Sequence, residues 1–134
     1  MHALESVRKI LRPGGLLINV HDLPLSHVIE AESDQRFTKV GWLLDKEDYI
    51  AERSAFNALT QAVERGLFVL DDEEEFKFNI HLDGLHELED LLADNWQSSM
   101  IPERTLLRIK EFGKSAPAKI VLHVPTRMTK LIAA

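Results

Sequence analysis

Leu4, Val7 and Leu11 fall at the spacing of one helix face, with Ile10 beside them and Glu5, Arg8 and Lys9 turned away, so the chain opens on an amphipathic helix over residues 2–12. Pro13-Gly14-Gly15 stops it, because proline cannot continue the helical ladder and glycine accepts the left-handed closing conformation. The run Leu16, Leu17, Ile18, Asn19, Val20 lacks apolar–polar alternation and predicts a strand buried on both faces, as in a parallel sheet. A hairpin is expected over residues 28–42, where two β-leaning pieces flank Ser33-Asp34-Gln35. Asp45 is placed to cap a helix running to about Arg65, with Tyr49, Phe56, Leu59 and Val63 on one face and Gly66 after its end. Alternation is clearest from Glu75 to Leu82, a strand with Phe76, Phe78, Ile80 and Leu82 on its dry face. Asp83 opens a third helix along Leu85, Leu88, Leu92 and Trp96; Ile101-Pro102 opens a fourth, which Gly113 closes. A final strand covers residues 118–124, breaks at Pro125 and resumes over residues 128–132. The order α, β, hairpin, α, β, α, α, β predicts an α/β fold, and the helix leading tightly into a buried strand reads as half of a doubly wound unit.

Composition narrows the classes. The 134 residues are expected to form a single domain, and 45% hydrophobic with 28% charged residues is a globular mixture. With no cysteine, disulfide frameworks, thiolate nucleophiles and cysteine-ligated metals are excluded. No apolar run approaches the roughly 20 residues that span a bilayer, and the N-terminus lacks a secretory pattern, so a cytoplasmic protein without a membrane partner is expected. The net charge of −6 and the lack of clustered Lys and Arg argue against a nucleic-acid partner. Six histidines raise the question of a metal, but no pair has the helical spacing and flanking carboxylate of a hydrolytic zinc site, and none is expected. His81 and His123 are expected on the wetter faces of their strands. The acidic run Asp71-Asp72-Glu73-Glu74-Glu75 lacks the spacers and glycine of a calcium loop and reads as a solvated turn. Trp42 and Trp96 read as core or interface anchors.

The segment Ala3-Leu4-Glu5-Ser6-Val7-Arg8-Lys9-Ile10-Leu11-Arg12-Pro13-Gly14-Gly15-Leu16-Leu17-Ile18 resembles class I S-adenosylmethionine-dependent methyltransferases, whose fourth helix ends in a similar string before the fifth strand. The likeness continues, in order though not in motif, through a following helix and two late strands. The resemblance implies a partial Rossmann-like methyltransferase fold, its C-terminal half, with the hairpin as an insertion. It also implies that the glycine-rich turn, the ribose-binding acid and the neighbouring cofactor contacts of that family lie outside this chain. No residue here is assigned to cofactor binding, and Gly14-Gly15, which follow a helix instead of opening one after a strand, read as structural. The isolated chain is expected neither to bind a cofactor nor to transfer a methyl group; S-adenosylmethionine enters only if the missing half is supplied.

With that half in place, His21 and Asp22, just past the carboxyl end of the first strand, would stand with His27 on the methyl-acceptor side, His21 serving as a base near neutral pH. The same pair also suits an ordinary polar strand exit, and no other catalytic residue is assignable. A strand edge over residues 16–20, with no proline or charge to blunt it, is a template for another chain. A homo-oligomer is therefore expected, a dimer through the Leu16 to Val20 edge or its helix, or a complex with a chain carrying the missing strands. The alternative to a methyltransferase remnant is a non-enzymatic self-association module.

Overall fold

The computed structural model describes residues 2–114 and 117–134. In chain order the elements are α1 (His2–Ile10), β1 (Leu16–Asp22), β2 (Val28–Ser33), β3 (Arg36–Trp42), β4 (Leu44–Asp45), α2 (Ile50–Glu64), β5 (Phe68–Leu82), α3 (Leu85–Asn95), β6 (Ser99–Met100), α4 (Glu103–Phe112) and β7 (Lys119–Ala133). The fold is mixed α/β and its strand pairing is mostly antiparallel. Among the described residues no helix is long and apolar enough to cross a membrane. Contacts gather the chain into two compact units, the first from residues up to Pro24, Tyr49–Phe76 and Thr126–Ala134, the second from Leu25–Asp48 and Lys77–Pro125.

In the first unit α1 ends where the sequence predicts, and Gly14 takes a φ of 80°, which glycine adopts without a Cβ penalty. The turn is stitched to the chain's other end: the Gly14 amide donates to the Ala133 carbonyl at 2.8 Å, and the Ala133 amide donates to Gly15 at 2.8 Å. From there β1 and β7 run antiparallel, Leu16 opposite Ile132 and Asp22 opposite Thr126. Leu59 and Ala62 of α2 pack with Phe68, Leu131 and Ala133, and Leu4, Val7, Leu11 and Leu17 close over them.

Residues 16–20 are thus a strand, but neither parallel nor buried on both faces. Leu16, Ile18 and Val20 are 53%, 60% and 57% exposed. Leu16, Ile18 and Val20 form an apolar row without cover, while α1 and α2 cover the other row, in which Leu17 is followed by the polar Asn19 and His21.

Three boundaries move. First, α2 begins at Ile50 and not at Asp45, because Asp45 closes a local turn by accepting the Glu47 amide at 3.0 Å, and Tyr49 enters the helix in the left-handed region. Second, β5 starts at Phe68 and takes in the acidic run expected to be a turn. Alternate acids of that run meet cations of the paired strand β7: Asp71 with Lys130 at 2.9 Å, Glu73 with Arg127 at 3.0 Å, and Glu75 with Arg127. Those pairs offset the repulsion that disfavours five consecutive carboxylates in a strand. Third, β7 does not break at Pro125: its ladder with β2 ends at His123 and its ladder with β1 begins at Thr126, so neither register places a partner opposite the proline.

The second unit is built on the expected hairpin. Asp34 and Gln35, with φ of 49° and 65°, form the doubly left-handed turn that suits the twist of β2 and β3. The register shifts after Ile29, leaving Val40 as the extra residue of a bulge. Ile29, Ala31 and Val40 pack with Leu88 and Leu92 of α3, Ile109 of α4, and Ile120, Leu122 and Val124 of β7. Gly41, at φ 153°, lets α4 approach β3: a Cβ there would lie 2.1 Å from Thr105 Oγ1 and 2.8 Å from Thr105 Cβ.

Gly41→Ala is expected to lower stability by roughly 1–3 kcal/mol, the usual cost of overpacking. Thr105→Ala added to it should recover part of the loss in denaturant titrations. An unchanged unfolding midpoint in the single variant would contradict this contact.

Candidate functional site

The carboxyl end of β1 faces a recess in the first unit. Residues two apart on a strand share a face, and here the Asn19 amide nitrogen lies 2.7 Å from His21 Nδ1. With the amide donating, Nδ1 is the acceptor and the proton of the neutral ring sits on Nε2. The ladder sets Arg127 directly opposite His21. Arg127 is itself held in place, donating to Glu75 and forming an ion pair with Glu73 of β5, while its guanidinium carbon sits 5.0 Å from the centre of the Phe56 ring on α2. His21, Leu23, Pro24, Arg53, Phe56, Asn57 and Arg127 enclose about 330 Å³.

Burial, and after it the Arg127 cation, push the His21 imidazole below its ordinary value of 6.5, against the opposing pull of Asp22 and Glu73. The ring is therefore neutral at pH 7. It can donate from Nε2, and it can take up a proton at Nδ1 only by giving up the Asn19 hydrogen bond. The recess combines a neutral imidazole, guanidinium groups and an aromatic wall, which suits a polar molecule of modest size better than a metal ion.

His21 and Asp22 do not lie past the strand, as the sequence reading has it, but are its last two residues, paired with Arg127 and Thr126. His27 does not join them: it is 8% exposed in the second unit, edge-on to Trp96 with ring centroids 5.2 Å apart, and its carbonyl accepts the Leu43 amide at 2.9 Å. It is a core histidine, for its neighbours Ile29 and Leu43 belong to the apolar cluster. His86 is exposed beside Asp90 on α3, and His81 is exposed on β5. His123 bridges strands, its Nδ1 2.7 Å from Asn79 Oδ1 and its Nε2 against Glu30. Among the described residues no three His, Cys, Asp or Glu side chains converge as metal ligands. Sequence reasoning missed Arg53, Phe56, Asn57, Glu73 and Arg127. The one signal for them is the matching of acids at 71, 73 and 75 with cations at 127 and 130, legible only once β5 and β7 are known to pair.

No family model, no curated protein and no solved structure matches the chain.

Because the folded midpoint of His21 lies below the unfolded one, the unfolded chain takes up this proton first as pH falls. Its stabilising contribution is complete above about 6.5 and is lost as pH drops from there toward the folded midpoint. An NMR titration should place His21 below 6.5, and His21→Gln should flatten that part of the stability profile. Arg127→Met should raise the midpoint only part of the way, since burial is the larger cause. A midpoint at or above 6.5 in the unaltered protein would contradict this.

Proposed function

We propose that this chain is the C-terminal half of a class I S-adenosylmethionine-dependent methyltransferase, which binds cofactor and transfers methyl groups only when joined by strands of the cofactor-binding half. The observation that carries the reading is the state of β1. Among the described residues it ends the strand order, paired with β7 alone, and it holds Leu16, Ile18 and Val20 exposed in one row. Covering three such half-exposed side chains contributes on the order of 1 kcal/mol each. The helix, Pro13-Gly14-Gly15 turn and strand that carry the family resemblance lead directly into that row, and a helix and two late strands follow.

The reading gives this chain no cofactor contact, and its described glycines support that. Gly14 and Gly66 close helices in the left-handed region, Gly41 is filled by Thr105, and at Gly84, between β5 and α3, the preceding Asp83 amide is already taken by Glu87 at 2.7 Å. They do not fit an adenosyl cradle. His21 and Asp22 then stand on the side where a methyl acceptor would lie, with the neutral ring able to orient its polar atom by donating from Nε2.

A second reading, a self-association module without enzymatic activity, is favoured by the symmetry of the same row. An antiparallel pairing of two copies centred on Ile18 sets Ile18 against Ile18 and Leu16 against Val20.

Reading the coding DNA upstream of Met1 and titrating S-adenosylmethionine into both products tests the first reading. It expects an in-frame or neighbouring coding segment with a glycine-rich strand–turn–helix, cofactor binding by the joined protein, and none by residues 1–134 alone. Binding to residues 1–134 alone, or the absence of any such segment, would overturn it. In the latter case a dimer in sedimentation that Ile18→Lys dissociates supports the second reading, and a monomer at all concentrations overturns that too.

A further inference from the structure

Besides the recess at His21, the first unit holds a second hollow of about 170 Å³ under α2. Phe56, Leu59 and Val63 form its helix wall, and Leu70 of β5 and Leu131 of β7 the other. Leu131 is fully buried and Leu59 is 8% exposed, so the floor belongs to the packed core, whereas Phe56 and Leu70 are 43% and 46% exposed and form an open rim. A hollow of about 150 Å³ with such a lining holds a benzene ring. The charged side chains that line it are both carboxylates, Glu64 and Glu73. Glu73 pairs with Arg127, whereas the Glu64 carboxylate is engaged by no cation among the described residues. Thr60 also lines the hollow, and its hydroxyl is spent on the Phe56 carbonyl at 3.1 Å, so that donor does not meet an incoming anion.

We infer that this hollow binds a small organic cation, a single aromatic ring or branched alkyl group bearing an ammonium, with the apolar body between α2 and the sheet and the ammonium at Glu64. The chemistry is complementary in both parts. The apolar body removes water from five hydrocarbon side chains, and the ammonium neutralises a carboxylate that otherwise faces solvent beside a second acid. An arylcarboxylate of the same shape would set like charges together, and a neutral ring would lose only the ion pair. The inference does not depend on the methyltransferase reading, because none of the residues it uses carries that resemblance.

Three probes separate the contributions: benzylamine, toluene and benzoate, titrated into the full chain at pH 7 and followed by NMR. Benzylamine should bind most tightly, toluene about tenfold more weakly, and benzoate not measurably, with the shifted resonances at Leu59, Val63 and Leu131. Glu64→Gln should bring benzylamine down to the affinity of toluene, with the fold intact because Glu64 is exposed. Val63→Phe, which fills the space, should abolish binding of both; should that variant not fold, Val63→Met serves the same purpose. Equal binding of benzylamine and benzoate, shifts centred elsewhere, or no binding of any probe would overturn the inference.

Discussion

The antiparallel ladder between β1 and the end of β7 sets each position that matters in the first unit, because its register decides which side chains stand opposite one another. It begins at the Pro13-Gly14-Gly15 turn, where the amides of Gly14 and Ala133 lock the two strands at one end. Once Leu16 faces Ile132, Arg127 must face His21. A slip of β1 by one residue against β7 would turn Leu17 out of the core and Ile18 into it, so burial of that leucine and placement of the imidazole are one constraint. The acids of β5 then fasten Arg127, which packs on Phe56 and adds to burial in holding the His21 imidazole below its ordinary value.

Much of this was legible in the chain, and the parts that were not share a cause. The helix over Leu4, Val7 and Leu11, the hairpin around Asp34-Gln35, the helix opened by Pro102 and the strand that starts at Leu16 are local signals, written in residues close in sequence. What escaped depends on partners far away. Residues 71–75 look like a repelling turn until Arg127 and Lys130 are set beside them. Pro125 looks like a strand breaker until it is seen to fall between the ladder with β2 and the ladder with β1. His27, in sequence so near His21, is a core residue because Trp96, distant along the chain, covers it.

The apolar row of β1 belongs to the same class of information. Leu16, Leu17, Ile18 and Val20 together announce a strand enclosed on both sides, yet this chain encloses only the side of Leu17. Local composition and tertiary cover disagree there, and such a disagreement points to function. The exposed row, the open edge and the histidine at the strand's end lie on seven consecutive residues, Leu16–Asp22. One strand thus carries a surface that asks to be covered and, on its other face, a recess in which a neutral imidazole is held by a defined hydrogen bond.

Native-state hydrogen exchange along Leu16–Asp22 tests that claim most directly. In an antiparallel edge strand alternate amides point toward the neighbour and away from it. In dilute protein the amides bonded to β7 should be protected while those between them exchange freely, and the free set should become protected when the covering chain, or a second copy at high concentration, is present. Uniform protection of all these amides in dilute protein, or an outward set that stays open under every condition, would contradict the account.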